Sequence, residues 1–274
     1  MNLLGRLTSS QVVRKVAKKL HFDAILPPAF RRWTTTVRVV TLHQMGLGYM
    51  MWLEPQELSD YEGEFEQGER DFLEALMTHL RPGETVLDVG AHWGEFALPL
   101  AKLLGENGRV LAFEPDGRAY QRLVDHVKLN GLSNIQTLKM GLGEEDGEAK
   151  IFFGGGNCPS IVPLENDATR RSASEKIEIV RGDTFFAREK LPIPRAVKID
   201  VEGFEYAVLR GLCGTLSSPT CRLICVEVHP EVLPPGVNTE TITNLLRSCG
   251  FEEFKIEQRA TEVHLVASKP SPKP

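Results

Sequence analysis

From Glu84 to Lys139, short apolar runs alternate with longer segments whose apolar residues recur at helical spacing. Runs of that length flanked by turn residues read as buried strands, and the longer segments as amphipathic helices. The pattern predicts strands over Thr85–Gly90, Arg109–Glu114 and Asn134–Lys139, with helices over Glu95–Leu104 and Arg118–Leu129 between them. This repetition builds a parallel sheet with crossover helices, an α/β fold. Further on, Ala196–Asp200 and Leu223–Val228 read as strands, and Phe204–Leu212 and Thr239–Cys249 as helices. Two closing strands, Glu253–Glu257 and Glu262–Val266, are joined by a short turn, which allows an antiparallel last strand. Ala149–Phe153 and Lys176–Val180 are predicted as extra strands around the loop Gly154-Gly-Gly-Asn-Cys-Pro-Ser160, either an elaborated acceptor pocket or a surface excursion.

Upstream, Ser9 or Ser10 caps a helix towards Leu20, with Val13, Val16, Ala17 and Leu20 on one face and Arg14, Lys15, Lys18 and Lys19 opposite. Pro27-Pro28 breaks the chain after it. Val37–Leu42 and Tyr49–Leu53 read as a hairpin with Gly46 and Gly48 in its turn, and a helix over Gln67–Leu80 stops at Arg81-Pro82-Gly83. This divides the chain into an extension over 1–60, a main domain over 61–268 and a disordered tail over 269–274.

Charge sharpens that division. The net charge of −5 argues against a nucleic-acid partner. Met1 to Val40 carries eight Lys/Arg against one acid, Asp23, and is therefore +7, which leaves the remainder at −12. A basic head on an acidic body is either a solvated face or a means of docking on an anionic membrane or glycolipid surface. The five cysteines lack metal-site spacing and read as reduced thiols. With no apolar run of membrane-spanning length and no secretory core, a cytoplasmic protein, peripheral to membranes at most, is expected.

The candidate chemistry begins at Asp88-Val-Gly-Ala-His-Trp-Gly94, where the first strand hands over to the first helix. Gly90 and Gly94 permit a tight turn and close approach to a ligand. A dinucleotide site would want glycine at the middle position, occupied here by His92. A nucleoside ligand without a pyrophosphate tolerates that side chain, and Asp88 suits a cationic amine. Glu114 ends the second strand, where an acid accepts hydrogen bonds from ribose hydroxyls. S-adenosylmethionine needs these features together. Gly141 and Leu142, past the third strand, are either part of an adenine wall or an ordinary turn.

These strings, with Ala112-Phe-Glu-Pro-Asp116, Lys198-Ile-Asp-Val-Glu-Gly203 followed by Glu205 and Leu209-Arg-Gly211, Val226-Glu-Val-His-Pro230, and the upstream Gly63-Glu-Phe-Glu66, resemble the FkbM methyltransferases. The resemblance covers roughly 61–266, and its most specific element is the segment Lys198–Glu205. It implies a class I Rossmann-like methyltransferase with a mostly parallel seven-stranded sheet and an antiparallel last strand. It also adds Ala91, Pro115 and Glu66 to the cofactor-binding residues. The implied reaction is methyl transfer from S-adenosylmethionine, usually to a hydroxyl of a sugar, glycan or polyketide and sometimes to a peptide amide nitrogen.

An alcohol acceptor needs a base, a metal ion that lowers its pKa, or both. His229 is the natural base, although it can equally be a capping histidine ahead of Pro230. Asp200 and Glu202 are the catalytic carboxylates at the end of the fourth core strand. They can alternatively bind a divalent cation, but Lys198 on the same strand face as Asp200 weighs against a metal, and none is assigned. Glu205 is expected to face solvent or cap the Phe204 helix. The leading expectation is O-methylation of a small-molecule or glycan hydroxyl. The alternatives are N-methylation of a peptide side-chain amide, a nicotinamide oxidoreductase, and a non-catalytic cofactor-binding module.

Overall fold

The computed structural model describes residues 37–54, 57, 67–152 and 174–270. The basic helix expected over 9–20, Glu66 and the loop 154–160 lie outside the described residues. The chain forms two compact units, Met1–Arg70 and Asp71–Pro274.

The first unit contains a hairpin of β1 (Arg38–Gln44) and β2 (Leu47–Leu53). Its turn is Met45–Gly46, both with positive φ (47° and 82°), as a two-residue hairpin turn with primed geometry requires. Gly48, expected in the turn, instead lies in β2 opposite His43, and a Cβ there would stand 3.1 Å from the His43 ring.

The chain enters the second unit through α1 (Gln67–His79). Phe72, Leu73, Leu76 and, just beyond the helix, Leu80 are buried, and the Phe72 ring stacks on His264 at 4.5 Å. Alternation follows: β3 (Thr85–Val89), α2 (Ala97–Leu104), β4 (Arg109–Phe113), α3 (Gly117–Leu129) and β5 (Ile135–Leu138). Three short strands come next, β6 (Gly141–Gly143), β7 (Gly147–Phe152) and β8 (Ser174–Arg181), in a separate sheet ordered β6-β8-β7. The series resumes with α4 (Gly182–Arg188), β9 (Ala196–Ile199), α5 (Glu205–Gly211), α6 (Cys213–Ser217), β10 (Leu223–Val228), α7 (Thr239–Ser248), β11 (Glu253–Gln258) and β12 (Val263–Ser268).

The main sheet has seven strands in the order β11-β12-β10-β9-β3-β4-β5. The contiguous strands β5, β4, β3, β9 and β10 are parallel, and β12 runs antiparallel to both its neighbours. β3 and β9 are central and completely apolar apart from Asp88, Lys198 and the first residue, Thr85. Their burial, with Leu111, Phe113, Ile224, Val226 and Leu265, forms the main core. Parallel strands direct their C-terminal ends to one edge of the sheet, so the loops after β3, β4, β9 and β10 converge there. The tail expected from Lys269 needs correcting at that residue: its amide donates to the Arg222 carbonyl (2.9 Å) and its Nζ to the Ser218 carbonyl (2.9 Å).

Candidate active site

A cleft opens at that edge. Gly90, His92, Glu114 and Pro115 line one part, and Met140, Gly141, Leu142 and Ile151 form an apolar wall. Asp200, Glu202 and Phe204 line the other. Asp88, Ala91 and Gly94 are among the residues that shape the turn beneath rather than the cleft surface.

Backbone geometry builds the first part. Gly90 has φ of 77°, and a Cβ there would fall 1.8 Å from the Asp200 carbonyl oxygen. Its lack of a side chain therefore makes room for the turn after β9, so the two loops interlock. Gly94 is similarly confined by Leu123 and Leu98. Glu114 accepts hydrogen bonds from the His92 and Asp116 amides, each at 2.8 Å. Burial pushes its carboxyl up to about 7, against these two bonds, which favour the charged form. A carboxylate offers about four lone-pair sites, so two amides leave capacity for ribose hydroxyls. The acid, the apolar wall and the glycine turn fit a nucleoside carrying an amino-acid tail.

Asp88 is fully buried, and the cation it faces is Lys198, with Nζ 3.7 Å from its Oδ1. Lys198 also donates to the Gly90 carbonyl (3.1 Å) and to Asp200 Oδ2 (3.3 Å), placing Lys198 and Asp200 on one strand face as alternation demands. Burial pushes Asp88 up to about 6, partly offset by the Lys198 charge. Burial would lower the Lys198 pKa, but the carboxylates of Asp200, Asp88 and Glu227 outweigh it and hold the ammonium charged.

Side chains from separate elements build the second part. His229, after β10, places Nδ1 2.8 Å from Glu205 Oε1, while Nε2 stands 3.6 Å from Glu202 Oε2 and 3.7 Å from Glu227 Oε1. Burial alone would lower its pKa; the Glu205 hydrogen bond and the charges of Glu205, Glu202 and Asp200 reverse this and push it up to about 9. Burial first, then the Asp200 charge, raises Glu227. Glu202 sits in the left-handed region (φ 54°), followed by Gly203 at φ 100°. Asp200, Glu202 and His229 thus come together, and Asp200 and Glu202 line the same cleft as Glu114 and Gly90.

A family model described as the methyltransferase FkbM domain matches residues 88–253, more than half of the chain and spanning both parts of the cleft. The chain belongs to the FkbM methyltransferase family. As a member it is an S-adenosylmethionine-dependent methyltransferase. The hexuronic acid methyltransferase AglP of Haloferax volcanii is 27% identical over 201 residues, covering 72% of this chain and 74% of the relative. A 57-residue stretch, 21% of this chain, is 40% identical to 11% of a 23S rRNA (uracil(1939)-C(5))-methyltransferase, RlmD, of Psychrobacter arcticus. The crystal structure of methyltransferase FkbM from Methylobacillus flagellatus is similar with a TM-score of 0.47 and 18% identity, covering 72% of this chain and 51% of that one.

In this FkbM methyltransferase, sequence reasoning misjudged Glu205 and overlooked His264. Glu205 does not face solvent. It is completely buried, accepts the Gly203 amide (2.8 Å) and turns onto His229. The available signal was its place inside the Lys198–Glu205 segment. His264 lies opposite Glu227 in the β10–β12 register, with Nε2 3.6 Å from Glu227 Oε2. Only the antiparallel pairing reveals that neighbour.

Proposed function

We propose that this FkbM enzyme methylates a sugar hydroxyl of a glycan or glycolipid. The observation that carries this reading is the half-buried His229 imidazole, held by the buried Glu205 and close to Glu202, beside the carboxylates Asp200 and Glu202 that line the cleft. When bound, S-adenosylmethionine supplies a methyl group on a sulfonium, and the carbon–sulfur bond electrons leave on sulfur. A carboxylate acceptor would need no base, whereas a hydroxyl must lose a proton as its oxygen bonds to the methyl carbon. His229 Nε2 takes that proton, and Glu205 holds the ring through Nδ1 and stabilises the resulting imidazolium. Asp200 and Glu202 orient the hydroxyl beside it. Glu114 holds the ribose, Gly141 and Leu142 lie against the adenine, Pro115 and Ala91 support that pocket with Gly90 and Gly94, and Asp88 acts from below through Lys198. The name of AglP supports a sugar acceptor. The +7 segment Met1 to Val40 suits an anionic or membrane-borne acceptor.

The test uses methyl-labelled S-adenosylmethionine with neutral oligosaccharides, uronic-acid oligosaccharides and glycolipid extracts. Alkali-stable label in a sugar ether is expected. Alkali-labile methyl ester, label on a peptide amide, or no transfer by protein that binds the cofactor would overturn the acceptor assignment.

A further inference from the structure

Six carboxyl groups gather around Lys198, His229 and His264 among the described residues. Asp88, Asp200, Glu202, Glu205, Glu227 and Glu262 lie in one connected group. Facing them among the described residues are His229, His264 and Lys198, and Lys198 is already engaged with Asp88, Asp200 and the Gly90 carbonyl.

We propose that Asp200, Glu227 and His229 form a binding site for one divalent cation at the acceptor end of the cleft. Each brings one ligand atom, and the three atoms all lie within 4.8 Å of one another. Metal bonds of about 2.0–2.3 Å place two ligands of one ion roughly 3–4.6 Å apart. The His229 Nε2 to Glu227 Oε1 distance of 3.7 Å falls in that interval and is too long for a direct hydrogen bond. The donor set, one imidazole and two carboxylates from the ends of adjacent parallel strands, suits Mn²⁺ or Mg²⁺.

Glu205 supplies a second, independent observation. It is completely buried and aimed at the group, with Oε1 on His229 Nδ1 at 2.8 Å; its Oε2 has no hydrogen-bond partner among the described residues. A buried carboxylate on one ring nitrogen fixes the tautomer and turns the other towards an ion, the usual support of a metal-bound histidine. Asp200 also lines the cleft, so an ion here would meet the acceptor oxygen and favour its alkoxide form; with the ion bound, His229 Nε2 is a ligand and this activation takes the place of proton removal by the imidazole. This role rests on the reading of that end as the acceptor site; the ion site itself does not.

The test is titration of the full chain with Mn²⁺, followed by electron paramagnetic resonance and calorimetry, with S-adenosylmethionine binding and thermal melting measured on the same samples. One Mn²⁺ per chain is expected, weakened at least tenfold in Glu227→Gln and in His229→Ala, with cofactor affinity within twofold of the parent. Glu144→Gln, on the exposed surface in a pair with Arg210, leaves Mn²⁺ binding unchanged. Absence of saturable Mn²⁺ binding, or binding unaltered in both cleft variants, overturns the site while leaving the methyltransferase reading intact. If His229→Ala alone melts early, Glu227→Gln decides. Loss of S-adenosylmethionine binding by the parent protein would instead overturn the cofactor reading.

Discussion

The two ends of the cleft keep their acids in opposite ways. At the cofactor end, Glu114 is held by two backbone amides, and the glycine turn is locked against the Asp200 carbonyl. At the acceptor end, Asp200, Glu202, Glu205 and Glu227 meet histidine or lysine side chains. Backbone amides do not titrate, so the donors that hold Glu114 stay in place whatever the pH and the first end is a preformed socket, although burial still raises the carboxyl itself to about 7. Side-chain charge clusters respond to protons and ions, which is why the proposed chemistry is assigned to the second end.

The sharpest way to break the comparison is Gly90→Ala, which attacks the point where the two ends interlock. A Cβ would stand 1.8 Å from the Asp200 carbonyl oxygen at a φ of 77°. The expected outcome is destabilisation by roughly 3 kcal/mol or more and loss of cofactor binding by calorimetry. Gly83→Ala, strained at φ 88° but facing open space, should leave cofactor binding intact. Equal loss in both variants would show that backbone strain alone, without the interlock, explains the effect.

Lys198→Met comes next, since it strips the shared cation from Asp88 and Asp200. Removing one partner of a buried pair costs about 3–5 kcal/mol. Adding Asp88→Asn should restore much of that stability in urea unfolding, because the fully buried carboxylate is then neutral. Additive losses in the double variant would mean that the pair is not the source.

The smallest effect is on pH dependence. His229 is pushed up to about 9, so the stability it contributes is fully present below its unfolded value near 6.5 and lost as pH rises through 9. Glu114 and Asp88, raised to about 7 and about 6, likewise add stability in mild acid that fades as pH rises through those values. The melting temperature should therefore fall between pH 6 and pH 9, by roughly 5 °C, and less in His229→Asn. A flat or rising profile would contradict the carboxylate cage. Without added metal, turnover should climb with pH towards 9 as the imidazole loses its proton.

The same contrast explains what was legible in the sequence. The strand–helix alternation, the Gly90 turn and Glu114 at a strand end are local patterns with a backbone cause, and each element lies within two residues of its expected bounds from Thr85 to Leu138. Lys198 and Asp200 on one face followed from strand period. Glu205 did not, because its side-chain partner His229 lies 24 residues away. His264 required the register of β12 against β10, and the Met45–Gly46 turn required φ values that glycine content alone does not assign. What depends on contacts between distant elements escapes periodicity.

The central claim is that cofactor and acceptor chemistry occupy separable ends of one cleft. Calorimetric titration of S-adenosylmethionine into the parent protein, Glu114→Ala and His229→Ala tests it most directly. Micromolar binding is expected for the parent and His229→Ala, and binding weakened at least tenfold for Glu114→Ala. Equal loss in both variants, or undiminished binding in Glu114→Ala, would contradict it.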